Sequence, residues 1–244
     1  MAAPIKIGVL GAAGRMGCAL RSEISKHGKA KLVAALVAPE AKVLGAEAGG
    51  VNFTSDVRGA LDICDVLIDF SHPKLAIDAA LMMSGTACKT LVTGTTGYSA
   101  PEEKSLVQAS NAITLVKSGN FSIGICVLES LVTKAALALP KDWDADILDI
   151  HHSQKKDAPS GTALMLGRAL EVGGQHIDPS AIASLRHGGV VGEHSVYLGD
   201  QMETITLTHS AIDRAVFAKG ALAAALWATE QSSGLYDMRD VLGL

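Results

Sequence analysis

"IKIGVLGAAGRMGCALRSEISKHG", residues 5–28, decides the fold class. A β-rich apolar run leads into glycines at Gly8, Gly11, Gly14 and Gly17, and then into an amphipathic stretch that stops at Gly28. Glycine is needed where a turn takes positive φ and where backbone must approach a pyrophosphate with no side chain between. A helix opening near Arg15 points its first N–H groups at such an anion. The spacing is GxxGxxG rather than GxGxxG, so a tight ligand-free βα turn stands beside the dinucleotide site as an alternative. No Gly-Lys-Ser/Thr follows, which excludes a kinase-type phosphate loop.

Outward from this unit the rhythm repeats. Strands are expected at 31–37, 64–70, 89–97 and 112–120, with helices over 72–85 and 99–111. Alternation of this kind implies βαβ units and a parallel sheet. After residue 121 the pattern changes. A long helix (124–139) precedes the strand "DADILDIHH" (144–152) and a helix from Ser160. Two β-rich runs, 190–198 and 202–211, are separated by Gly199-Asp200, a good hairpin turn. An Ala-rich helix (214–231) and a short tail end the chain. The fold class is therefore α/β: a Rossmann-type parallel sheet plus a second α+β domain with a mixed, largely antiparallel sheet. The change of rhythm places a domain boundary near residue 121.

Composition narrows the class further. Of 244 residues, 48% are hydrophobic and 19% charged, which suits a packed core rather than a disordered chain. A formal net charge of -4 argues against a nucleic-acid partner. Cys18, Cys64, Cys88 and Cys126 are scattered without CxxC or metal spacing, so reduced thiols in the cytoplasm are expected. No apolar stretch reaches the ~18 residues of a membrane span, and no signal peptide is evident.

The second domain carries "HHSQKKDAPSGT", residues 151–162. Cations at a helix N-terminus oppose the helix dipole unless an anion binds there. A carboxylate could accept hydrogen bonds from the Gly161 and Thr162 N–H groups and the Thr162 hydroxyl, with a lysine adding charge. Histidine beside it holds and releases a proton near neutral pH. Adjacent His151 and His152 point to opposite faces of an extended strand, which argues against a shared metal; no metal is expected. A solvated basic loop with one capping histidine is the bland alternative. The expected ligand is a small carboxylate whose chemistry involves a proton.

In chain order, "GAAGRMG" (11–17), "IDFSHP" (68–73), "VTGTTG" (92–97), "NFSIG" (120–124), "HHSQKKDAPSGTA" (151–163), "RHGGVVGEHSV" (186–196), "THSAIDRAVFAKGA" (208–221) and "GLYDMRDVL" (234–242) resemble the dihydrodipicolinate reductase family. The resemblance covers essentially the whole chain; the HHxxKxDAPSGT stretch is highly specific, the glycine motif is not. It implies that the last helix and tail return to the Rossmann domain, so that 1–121 with 215–244 form the dinucleotide-binding domain and 122–214 the substrate-binding and oligomerisation domain. It also implies a homotetramer built through the second-domain sheets. The implied reaction is NADH- or NADPH-dependent reduction of 4-hydroxy-tetrahydrodipicolinate, a cyclic dicarboxylate, to tetrahydrodipicolinate in lysine and diaminopimelate biosynthesis.

By resemblance, Gly11, Ala12, Ala13, Gly14, Arg15 and Met16 hold the pyrophosphate, and Val37 stands at the ribose position. Gly94, Thr95 and Thr96, with Gly119, Asn120, Phe121 and Ser122, lie near the nicotinamide. His151 and Lys155 form the catalytic pair, and His152, Ser160, Gly161 and Thr162 contact substrate. Either His151 or Lys155 delivers the proton, with His151 favoured. Two departures stand out. Val37 and Ala38 replace an acidic residue followed by a basic one, which leaves the coenzyme open, and the stretch from Gly173 to Ser184 is short. Two rivals, an aspartate-semialdehyde type and a catalytically dead dinucleotide sensor, fit less well. The first needs a nucleophilic cysteine, and Cys126 sits in an apolar helix; the second has no use for the His-Lys cluster.

Overall fold

The computed structural model describes residues 3–244. Its elements are β1 (Ile5–Leu10), α1 (Arg15–Lys26), β2 (Ala30–Leu36), β3 (Phe53–Thr54), α2 (Val57–Ile63), β4 (Val66–Asp69), α3 (Pro73–Met83), β5 (Thr90–Thr93), α4 (Ala100–Ala109), β6 (Thr114–Lys117), α5 (Ile123–Ala138), β7 (Asp144–His151), α6 (Gly161–Val172), β8 (Ala183–Arg186), β9 (Gly192–Gly199), β10 (Thr204–Ala211), α7 (Ala215–Ala228), β11 (Gly234–Tyr236) and α8 (Met238–Leu242). The chain divides into two compact units. One runs up to Phe121 and resumes over Phe217–Gly243; the other is Ser122–Val216.

The first unit carries a seven-stranded sheet in the order β11-β6-β5-β4-β1-β2-β3, with every pairing parallel. Its central strands bury Ile7, Val9, Leu67, Ile68, Leu91 and Leu115 on both faces, so they read as continuous apolar runs rather than alternating ones. Helix α1 buries Gly17, Leu20 and Ile24, a 3–4 residue spacing that lays one stripe on the sheet. In α7 the buried stripe is Ala218, Gly220, Ala221, Ala224, Ala225 and Ala228, whose small side chains let the helix backbone approach closely. A Cβ on Gly220 would lie 1.7 Å from the Phe121 carbonyl oxygen.

The second unit has a four-stranded sheet in the order β10-β9-β7-β8, antiparallel except for β7 against β8. Helices α5 and α6 share a core with it, built from Val132, Ala136, Ile147, Leu166, Leu170, Val196 and Leu198.

The expected fold class is what the structure shows, with one correction and several additions. The β9–β10 connection is not a two-residue Gly199-Asp200 turn, because Gly199 is the last residue of β9 and pairs with Thr204. Asp200 through Glu203 form the loop, and Asp200 Oδ1 accepts the N–H groups of Met202 and Glu203 at 2.8 and 3.0 Å. An aspartate turn thus outcompetes the glycine turn. Elements β3, α2, β8, β11 and α8 were not anticipated; β3 and β11 hold two and three residues, too few for a periodic signal, and β8 has no buried residue to mark it.

Replacing Gly220 by alanine is expected to overpack a backbone contact and cost about 3 kcal/mol or more, lowering the melting temperature by about 6–12 °C. A thermal melt of Gly220→Ala within about 2 °C of the parent would contradict the packing described.

Candidate active site

The carboxyl ends of β1, β4, β5 and β6 carry the first group of expected residues. Gly11 adopts φ +80, and a Cβ there would meet the Phe70 carbonyl oxygen at 2.5 Å. At Gly17 a Cβ would sit 2.3 Å from the Gly11 oxygen, so loop and helix can close only around glycine. Gly14 caps α1 with no side-chain hydrogen bond, whereas Asp56, Ser122 and Ser160 cap α2, α5 and α6 with side chains. The first turn of α1 therefore offers N–H groups beside a side-chain-free cradle, which fits a pyrophosphate. Ala13, Gly14 and Arg15 are exposed and Met16 half-buried, but Ala12 is fully buried, so only its backbone can face a ligand.

Val37 and Ala38 are half-buried, and the Val37 N–H is committed to the Thr54 carbonyl at 2.9 Å. Gly94 packs on the Phe70 ring, 2.1 Å from where a Cβ would stand. Thr96 is exposed, whereas Thr95 is buried and bonded inward. Gly119 is exposed, and Asn120 exchanges bonds with Ser118, its N–H donating to Oγ and its carbonyl accepting from it. Phe121 is buried, edge-on to Phe70 at 5.7 Å. Ser122, in the second unit, caps α5 and lies 3.5 Å from His209 Nε2.

The second group assembles on β7, β8 and β9. Side chains alternate along a strand, so Asp149 and His151 share the inward face of β7. Register places His194 of β9 opposite Asp149, and Arg186 of β8 opposite His151. Asp149 is fully buried. Its Oδ2 accepts the Ser160 N–H at 2.8 Å and the Arg186 guanidinium at 2.9 Å. Its Oδ1 lies 2.8 Å from His151 Nδ1 and 3.3 Å from His194 Nε2. These two contacts are at ion-pair distance without hydrogen-bond alignment, and the attraction depends on the separation. Burial alone would raise the Asp149 carboxyl. The contacts from His151, His194, the Ser160 N–H and Arg186 outweigh it and hold the group well below the usual carboxylate range.

Ser160 is placed inward rather than toward a ligand. Its hydroxyl accepts from the Ala163 N–H and lies 3.1 Å from His194 Nε2. It builds the N-terminus of α6, where Gly161 is exposed and Thr162 half-exposed. His152 is half-exposed. Lys155 Nζ pairs with Asp157 at 2.8 Å, which holds the Asp157 carboxyl down, and Lys156 is exposed. Asp149, His151 and His194 bring three ligand-type atoms within 4.8 Å. Because Arg186 already neutralises that carboxylate, a divalent cation there would face a guanidinium. The cluster suits proton handling instead. Asp149, Arg186 and His194 were missed by sequence reasoning; the i, i+2 spacing of Asp149 and His151 was the available signal.

A parallel sheet with an open glycine turn, together with a carboxylate–histidine pair beside a helix N-terminus, defines a nicotinamide-dependent oxidoreductase acting on a small molecule. Family models described as the N-terminus and the C-terminus of dihydrodipicolinate reductase match residues 5–121 and 124–242. The chain belongs to the dihydrodipicolinate reductase family.

Relatives named 4-hydroxy-tetrahydrodipicolinate reductase include those of Allorhizobium ampelinum, 40% identical with 98% of each chain covered. That of Caulobacter vibrioides is 38% identical over 100% of this chain and 99% of the relative. A dipicolinate-bound dihydrodipicolinate reductase from Paenisporosarcina sp. TG-14 shares the fold at TM-score 0.82 and 22% identity, covering 96% and 97% of the two chains. The diaminopimelate dehydrogenase of C. glutamicum shares the fold more distantly, at TM-score 0.57 and 14% identity over 97% and 93%. The family, fold class and reductase activity expected from sequence are borne out.

Because the Asp149 carboxyl is held low, its contribution to stability is complete above its unfolded value of about 3.9 and is lost as pH falls below that. Asp149→Ala is expected to cost about 3–5 kcal/mol at pH 7 by leaving the Arg186 guanidinium without its buried anion. In urea melts the gap between parent and variant should stay level from pH 7 to 5 and narrow below about pH 4. A gap that widens in acid would contradict the assignment.

Proposed function

We propose that the chain reduces 4-hydroxy-tetrahydrodipicolinate to tetrahydrodipicolinate, with His151 as proton donor and Lys155 and the α6 N-terminus as the carboxylate site. The observation that carries the proposal is the 2.8 Å approach of His151 Nδ1 to Asp149 at a strand end leading directly into the Lys155 loop. Loss of the 4-hydroxyl as water gives a ring carbon conjugated to the imine, and a nicotinamide coenzyme, when bound, would supply hydride to that carbon. The neighbouring carbon must then take a proton.

With Nδ1 turned to Asp149, His151 presents Nε2 as the donor, and the buried carboxylate fixes the orientation of the ring. Gly192 keeps that atom accessible, since a Cβ there would come within 3.0 Å of Nε2. Lys155 can exchange its exposed partner Asp157 for a substrate carboxylate, a like-for-like replacement of one anion by another. Gly161 and Thr162 add N–H donors and the dipole of α6, worth about 0.3–1 kcal/mol and up to ~2 when partly buried. His152 stands beside this group as a further substrate contact.

Coenzyme is held by the 11–16 turn and by 94–96 and 119–122 in this proposal, with Val37 at the ribose. Neither Val37 nor Ala38 offers a carboxylate for a 2′-hydroxyl or a cation for a 2′-phosphate. NADH and NADPH are therefore both used, in the cytoplasm, as the free Cys18, Cys64, Cys88 and Cys126 suit. Among the described residues no helix is long and apolar enough to cross a membrane. A homotetramer is supported by apolar exposure around β10, where Met202 is 91% and Ile212 93% exposed.

The deciding assay generates substrate in situ from pyruvate and aspartate semialdehyde with the preceding synthase and follows coenzyme loss at about 340 nm. Oxidation should depend on this protein, with NADH and NADPH rates within about tenfold of each other. His151→Ala should lower kcat by about 10²–10⁴ with the fold intact, and a loss below about threefold would remove His151 from the role of acid. Lys155→Ala should raise the KM for the dicarboxylate more than it lowers kcat. Light scattering should give four times the 25.1 kDa chain mass.

A further inference from the structure

The run Asp69-Phe70-Ser71, part of the "IDFSHP" stretch, is the most densely engaged segment of the first unit that no step above uses. Asp69 ends β4 and is fully buried. Its Oδ1 accepts both the N–H and the hydroxyl of Ser71. Its Oδ2 accepts the hydroxyls of Thr93 at 2.7 Å and Thr95 at 2.8 Å. Among the described residues no Lys, Arg or His forms an ion pair with it. Burial pushes this carboxyl up, against the pull of the Ser71, Thr93 and Thr95 donors.

The bonds have a direction. Thr93 and Thr95 spend their only hydroxyl protons on Asp69. Thr93 must then accept from Tyr98, 3.0 Å away, and Thr95 accepts the Ser71 N–H at 3.0 Å. Thr95 has no hydroxyl proton left for a ligand. Phe70 completes the assembly: its carbonyl lies against Gly11, its ring fills the space above Gly94, and the Gly94 N–H donates to the Asp69 carbonyl at 2.9 Å. One buried acceptor thus ties the ends of β4 and β5 together, and the next residue touches the glycine turn of β1.

We propose that Asp69 is a positioning residue for the coenzyme, holding Ser71, Thr93 and Thr95 as one unit so that the backbone of 94–96 is fixed for nicotinamide binding. The proposal rests on the assignment of 94–96 to the coenzyme site. A neutral hydrogen-bonding residue would give the fold a β4–β5 contact without placing an unpaired anion in the interior. What an anion adds is an acceptor at every position, which forces all the hydroxyls to one orientation. Residue 95 then serves the coenzyme through its backbone, and its side chain serves the loop.

The test is direct titration of NADH and NADPH by coenzyme fluorescence, with steady-state KM values for coenzyme and dicarboxylate alongside. Asp69→Asn should weaken coenzyme binding about tenfold or more while the dicarboxylate KM stays within about twofold. Thr95→Val should weaken coenzyme binding by about threefold to tenfold, and Thr95→Ser should restore it to within about twofold. The double variant Asp69→Asn/Thr95→Val should be no worse than Asp69→Asn alone. Folded Asp69→Asn that binds coenzyme within about twofold of the parent overturns the proposal. If Asp69→Asn does not fold, Thr95→Val with unchanged binding overturns it instead. Thr96→Trp adds bulk on the exposed side of the same loop and separates the two ideas. Unchanged binding in Thr96→Trp removes 94–96 from the coenzyme site, and the proposal with it. Blocked binding there, with Asp69→Asn unaffected, leaves the site and removes Asp69.

Discussion

Asp149 is the constraint on which the second unit's chemistry depends. A carboxylate with no exposed surface is tolerated because Arg186, His151, His194 and the Ser160 N–H surround it. Each of these partners belongs to a different part of the chain, so one anion joins β7, β8, β9 and the start of α6. The His151 ring and the N-terminus of α6 are consequently fixed to the same group. Moving either would leave a buried charge unpaired, which is far more costly than the loss of an ordinary contact.

The first unit treats its buried carboxylate in the opposite way. Among the described residues Asp69 is met by hydroxyls and an N–H and pairs with no cation, and burial raises it where Asp149 is lowered. The difference follows from what each surrounds. Around Asp149 are the Arg186 guanidinium, two imidazoles and a backbone N–H, which together hold its carboxyl low. Around Asp69 are groups that carry only orientation, and the acceptor sets which way each hydroxyl points. Both carboxylates sit at or near the end of a strand, where backbone leaves the sheet and side chains must supply the order that ladder hydrogen bonds no longer provide.

Several elements were legible in the chain because their signal is local. The buried run before Gly11, the spacing of Gly17, Leu20 and Ile24, and the helix opening at Ser160 all follow from periodicity and capping. Strands β3 and β11 were not legible, since two or three residues cannot display a period, and β8 is an edge strand with no buried residue, so its pairing leaves no apolar run. The β9–β10 loop was misplaced because Asp200 and Gly199 both carry turn chemistry, and strand register decided which of them turned. Ser160 was seen as a ligand contact; its hydroxyl is instead spent on the Ala163 N–H and His194.

By itself the sequence determined the alternation of strands and helices, the glycine cradle, the run from His151 to Thr162, and through these the family. Each is written in residues close together along the chain, where backbone geometry and helix capping act. Tertiary structure alone decided that Arg186 and His194 surround the Asp149–His151 pair, and that Thr93 and Thr95 converge on Asp69. Those four contacts are brought together by strand pairing across 24 to 45 residues of sequence separation. Register of that kind is set by the packing of whole sheets and leaves no local mark on the residues it joins.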